Sequence, residues 1–129
     1  MIRTASCCCT ELTIQVEGAP VLSGICSCDD CRRRTGSAFG WSAYFENDQI
    51  LQRTGGARTY AVDAWAPQHR YFCPECGSTL YWTTGAFPGL TGVAGGSFVD
   101  NPLPAPKASF RNTKRCAWIA LPGDWEMHP

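Results

Sequence analysis

Eight of the nine cysteines in this chain fall into three tight groups: Cys7-Cys8-Cys9, Cys26 and Cys28 with Cys31, and Cys73 with Cys76. Thiols this close in sequence cannot cross-brace a fold, and an odd total leaves a disulfide framework incomplete. The N-terminal stretch "MIRTASCCCTELTIQVEG" has no apolar h-region of a secretory signal. No run reaches the roughly 18 apolar residues of a membrane span. The expected location is therefore cytoplasmic, where structural disulfides are rare and clustered cysteines more often hold metal. Metal ligation is the first constraint on the fold.

"FCPECGS" is the most specific local signal. Cys73 and Cys76 are spaced C-x-x-C, Pro74 sets the turn and Gly77 follows, so both sulfurs can reach one ion at about 2.3 Å. The competing reading is a redox dithiol, which belongs at a strand-to-helix junction; here the strand-like "STLYWTT" follows. The other half of a closed site is expected from "CCC". In an extended segment residues two apart share a face, so Cys7 and Cys9 converge while Cys8 points away as a small buried hydrophobe. Cys7, Cys9, Cys73 and Cys76 would then form a four-thiolate structural zinc site.

By the same argument Cys26 and Cys28 share a face and Cys31 returns from the following turn. Three protein ligands with an open position make a catalytic or ligand-exchanging site for a second zinc. His69 and His128 read as solvated surface residues rather than a fourth ligand. Spacing leaves one alternative open, in which Cys26 and Cys28 join Cys73 and Cys76 and leave Cys7 and Cys9 spare. Iron–sulfur spacings do not match.

The remainder reads as short strands in one domain, residues 1–129, with 119–129 as a surface tail. "ELTIQVEG" alternates Leu12, Ile14 and Val16 with polar neighbours, and "AFGWSAYFEND" places Phe39, Trp41, Ala43 and Phe45 on one face. "ARTYAV", "RYFC", "STLYWTT", "LTGVAGGSF" and "CAWIAL" are further strand candidates. Thirteen glycines and nine prolines suit a β-rich chain with many turns. One helical turn is expected from a cap at Ser27 or Asp29 through Arg34, with Gly36 as its stop.

Arg32, Arg33 and Arg34 follow the third thiol of the open group. Spread around a helical turn, at least one should face the metal, favour thiolates and attract carboxylates. A small molecule carrying both a thiol and carboxylates satisfies the zinc and the arginines together, and glutathione is the abundant cytosolic example. Phe39 and Trp41 could wall such a pocket or serve as core. Eleven basic residues balance eleven acidic ones, which gives no reason to expect a nucleic-acid or membrane partner.

The C-x-C near the start, "CSCDDCRRRTGSAFG", "FCPECGSTL" and "GVAGGSFVD" together resemble the glutathione-dependent formaldehyde-activating enzyme family, which includes centromere protein V. The likeness runs from Cys7 to about Trp118. It implies a small zinc-containing antiparallel β fold, sometimes called a β-tent. It also implies structural zinc on Cys7, Cys9, Cys73 and Cys76, and catalytic zinc on Cys26, Cys28 and Cys31. The implied activity is that of a carbon–sulfur lyase acting on glutathione adducts, S-(hydroxymethyl)glutathione synthase-like. The alternative from another class is a non-catalytic zinc module that binds or carries glutathione or a protein partner.

Overall fold

Apolar–polar alternation in residues 12–16 works as a burial code: Leu12, Ile14 and Val16 are all buried, and Thr13 and Gln15 are not. The computed structural model describes residues 1–129. It contains β1 (Ile2–Ser6), β2 (Thr13–Glu17), β3 (Leu22–Cys26), α1 (Asp29–Thr35), β4 (Gly40–Glu46), β5 (Ile50–Thr54), β6 (Arg58–Asp63), β7 (Pro67–Phe72), β8 (Thr79–Thr84), β9 (Leu90–Ala94), β10 (Ala108–Phe110) and β11 (Glu126–Met127). The chain is mainly β, as expected from its turns. No helix is long and apolar enough to cross a membrane.

The strands form two sheets. The smaller has the order β1-β2-β5, and the larger runs β11-β10-β3-β4-β9-β8-β7-β6. The expected purely antiparallel arrangement holds except at one edge, where β10 pairs parallel with both β3 and β11. The last residues lie at the surface, and within them Glu126 and Met127 return beside Ala108 and Ser109. "CAWIAL" is not a strand. It forms a turn in which Ile119 N–H donates to the Cys116 carbonyl, and Arg115 Nη1 donates to the Ile119 carbonyl.

Period-two patterning divides the larger sheet into two functional faces. Ala43, Phe45, Val93 and Tyr81 join Ala5, Leu12, Ile14, Val16 and Phe98 in one buried cluster. The intervening positions line up on the opposite face. Tyr44 pairs with Gly92, Gly92 with Trp82, and Trp82 with Arg70 across four successive strands. That row forms the floor of a cleft.

Gly92 is required by this row, since a Cβ there would collide with the Trp82 indole that lies across it. Trp82 Nε1 donates to the Tyr44 hydroxyl at 3.2 Å, so displacing the indole also breaks that bond. Gly92→Ala is expected to lower unfolding stability by about 1–3 kcal/mol through overpacking. Denaturant unfolding checks this, together with a shift of the Trp82 fluorescence; an unchanged midpoint would show that the indole can move at no cost.

Candidate functional site

The first thiol cluster is built from two turns. A turn at Cys7 is closed by Thr10 N–H donating to the Cys7 carbonyl, with Thr10 at φ 67. Leu12 N–H then donates to Cys7 Sγ at 3.2 Å. The second turn is closed by Gly77 N–H donating to the Cys73 carbonyl at 2.7 Å, with Gly77 at φ 79. Positive φ favours glycine at that position. Cys9 Sγ lies 3.6 Å from both Cys7 Sγ and Cys73 Sγ. All four sulfurs of Cys7, Cys9, Cys73 and Cys76 lie within 4.8 Å of one another.

Two sequence expectations change here. Cys7 and Cys9 converge through a turn, not along an extended segment, because the chain is already reversing from β1 into β2. Cys8 is exposed rather than a buried hydrophobe, since the tip of that turn faces solvent. Its backbone N–H donates to Ser78 Oγ at 3.2 Å and ties one turn to the other.

Cys76 and Cys9 are pushed in opposite directions. Hydrogen bonds from the Ser78 hydroxyl and backbone draw Cys76 down to about 5. A backbone hydrogen bond at Glu11 lowers Cys9, but desolvation and hydrogen bonds to Cys73, Cys7 and Cys76 outweigh it and push Cys9 up to about 12. A soft dication removes the conflict by stabilising every thiolate together, so this donor set fits a closed metal site.

The second cluster is Cys26, Cys28 and Cys31, whose sulfurs also lie within 4.8 Å of one another. Cys26 ends β3, and Cys28, not Ser27 or Asp29, is the N-cap of α1. Its Sγ accepts from Cys31 N–H at 3.4 Å. Asp29 and Asp30 occupy the first turn, and Gly36 at φ 64 ends the helix by donating to the Arg32 carbonyl, an αL stop. A hydrogen bond from Cys31 lowers Cys26, while burial raises Cys28. Cys31 is raised by its hydrogen bond to Cys26 and by burial. These thiols too need a cation to be thiolates together. The two clusters could each hold a metal ion, and the alternative pairing of Cys26 and Cys28 with Cys73 and Cys76 is excluded by the fold.

The clusters differ in their surroundings. Cys7 and Cys73 are part of the hydrophobic core. Cys26, Cys28 and Cys31 instead line a cleft of about 980 Å³, open to solvent and floored by Tyr44, Trp82, Gln68 and Arg70. Arg34 lies over the Trp82 ring with its guanidinium carbon 4.8 Å from the centroid, a cation–π contact. Arg33, Arg111 and Lys114 complete a basic side of the cleft, and Trp65 and Phe87 form an aromatic rim.

Arg32 is placed elsewhere, on a shallow exposed groove with Gly36 and Ser37. Successive helix residues project about 100° apart, so three consecutive arginines cannot face one cleft. Neither Phe39 nor Trp41 lines the cleft. Trp41 packs on the core side of β4, donating from Nε1 to Ser23 Oγ at 3.0 Å. The same alternation that grouped it with Ala43 and Phe45 carries it away from the thiols. Their wall position is taken by Tyr44 and Trp82, which sequence reading passed over; the signal was the other register of β4 and of "TLYWTT". Cys116 joins neither cluster. His69 lies outside the cleft lining, whereas His128 reaches it, stacked on Phe110 with centroids 4.7 Å apart.

A two-sheet β fold carrying one thiol cluster anchored in the core by Cys7 and Cys73, with Cys9 at the surface, and another lining a basic, aromatic cleft defines a cysteine-rich protein with two candidate metal sites. This chain belongs to the glutathione-dependent formaldehyde-activating enzyme family, whose model matches residues 2–114. It is similar in fold to a protein of Rhodobacter sphaeroides known from its crystal structure. That likeness has a TM-score of 0.60 at 21% identity, and covers 74% of this chain and 87% of the other.

Proposed function

We propose that the protein is a cytosolic carbon–sulfur lyase of the S-(hydroxymethyl)glutathione synthase type, joining formaldehyde to glutathione. The observation that carries this reading is the three-thiol cluster opening into a cleft with a cationic side. Family membership supports the substrate class. The expected cofactor is zinc, two per chain: Cys7, Cys9, Cys73 and Cys76 would hold a structural ion, and Cys26, Cys28 and Cys31 an accessible one. Zinc at the second position would supply a Lewis acid that favours an exogenous thiolate at neutral pH.

The reaction forms one S–C bond, turns the aldehyde C=O into a C–O single bond and moves the thiol proton to that oxygen. It is redox-neutral and has no leaving group. Arg33 and Arg34 would hold ligand carboxylates, with Arg34 fixed by the Trp82 face. Tyr44 Oη accepts from Trp82 Nε1, which leaves its own O–H free to donate toward the cleft. Burial pushes that hydroxyl above its ordinary pKa, so it keeps its proton at neutral pH and can protonate an aldehyde oxygen.

Calorimetry on metal-loaded protein tests the reading. Glutathione is expected to bind, S-methylglutathione to bind at least tenfold more weakly, and Arg34→Ala to weaken glutathione. Exchange NMR on formaldehyde–glutathione mixtures is expected to show faster adduct formation with enzyme. Equal binding of the two peptides would remove the thiol from recognition. Tight glutathione binding with unchanged exchange would make the protein a carrier.

A further inference from the structure

Three carboxylates line the cleft, and two of them are already engaged. Asp29 pairs with Lys114 at 3.1 Å, and Asp30 is held by Arg70 through Nη1 and Nη2. Asp63 has no ion-pair partner, yet it lines the same cleft. It lies at the end of β6, opposite Pro67 and beside the Val62–Gln68 pair of β6 and β7.

Gln68 supplies an independent observation at that end. It is 4% exposed and lines the cleft, but its Nε2 has no hydrogen-bond partner. The orientation of the amide is determined by its neighbour. Arg70 donates to Gln68 Oε1 from Nε at 3.3 Å and from Nη2 at 3.2 Å. An amide nitrogen facing those donors would leave three N–H-bearing groups opposed, so oxygen must face Arg70 and Nε2 must face away. Arg70 is in turn clamped by Asp30 on α1, between the Cys28 cap and Cys31. A buried amide donor without an acceptor is costly; here it belongs to a side chain that lines the cleft and is linked through Arg70 and Asp30 to the element that carries the thiols.

Free donor and free carboxylate together match an α-amino-acid head, which presents a carboxylate and an ammonium on one carbon. Arg33, Arg34 and Arg111, which also line the cleft, can receive an anion but repel an ammonium. We infer that Gln68 and Asp63 form a subsite for the γ-glutamyl head of the thiol ligand, Gln68 Nε2 donating to its carboxylate and Asp63 taking its ammonium. This rests on the thiol-binding reading above. It orients the peptide with the γ-glutamyl group toward the β6–β7 end and the glycyl carboxylate toward the arginines.

The test measures binding of glutathione, γ-glutamylcysteine and cysteinylglycine to the metal-loaded full chain by calorimetry. Gln68→Glu keeps the acceptor facing Arg70 and removes the donor; Asp63→Asn changes an exposed residue that no fold contact needs. Each is expected to weaken glutathione and γ-glutamylcysteine by about tenfold, as for a hydrogen bond to a charged group. Cysteinylglycine, which lacks the head, is expected to bind both variants within about twofold of the parent. Equal losses for all three ligands, or no loss for glutathione, would overturn the subsite while leaving thiol binding intact. Failure of the parent protein to bind any of the three would overturn both. Metal content and unfolding midpoint of Gln68→Glu are compared with the parent; if either changes, Asp63→Asn decides the outcome.

Discussion

Cys73→Ser is expected to release one metal equivalent and abolish cooperative unfolding. Cys73 is buried in the same cluster as Leu12, Ile14 and Phe45, and its sulfur lies 3.6 Å from that of Cys9. Structural zinc binding contributes about 10–16 kcal/mol of apparent free energy in small domains, as much as the whole stability of a typical fold at about 5–15 kcal/mol. Losing one of four ligands therefore removes more than the chain has to spare. The neighbouring comparison is Cys8→Ser. Because Cys8 is exposed and outside the cluster, its replacement is expected to change stability by no more than about 0.5 kcal/mol. Elemental analysis with thermal unfolding checks both. A folded Cys73→Ser with full metal content would refute the closed site.

Cys31→Ser is expected to separate binding from folding. The second cluster lies on the cleft face, and only α1 and the ends of β3 and β4 depend on it. The variant should keep the metal at Cys7, Cys9, Cys73 and Cys76, keep its unfolding transition, and lose the other metal. Glutathione affinity should fall by more than about a hundredfold, since two remaining thiolates make a poor zinc site. Gly40 makes this position unforgiving in size as well. A Cβ at residue 40 would sit 3.3 Å from the Cys31 Cβ and 2.8 Å from Arg34 Nη2, so the chain at β4 is kept slim to let α1 approach. Undiminished glutathione binding by Cys31→Ser would place the ligand elsewhere.

Much of the candidate site was legible because metal ligation leaves a covalent-scale signature in spacing. C-x-x-C and C-x-C bring sulfurs to one point whatever surrounds them, so each thiol group could be read directly, whereas spacing alone left two candidates, Cys7 with Cys9 and Cys26 with Cys28, to join Cys73 and Cys76. Strand alternation in residues 12–16 and 41–45 was equally legible, because its period is a property of the backbone. What alternation could not say was which face of β4 met the core. Trp41 was a reasonable pocket wall by type, and it became core because β4 turns its odd residues toward the smaller sheet. Tyr44, one register apart, took the wall instead.

By itself, the sequence determined the thiol groups, the β-rich class and the short helix that runs through Arg34 and stops at Gly36, but not that Cys28 caps it. All three follow from interactions among residues a few positions apart, whose energies hardly depend on distant partners. Only the tertiary structure decided that Cys7 and Cys73 anchor their set in the hydrophobic core and that the three-thiol set lines an open cleft. It alone set Arg70 against Asp30 across 40 residues, freed Gln68 Nε2 and left Asp63 unpaired. Those features depend on strand order and on which sheet face is covered, and both are settled by burying the whole apolar surface at once rather than by any local run of residues.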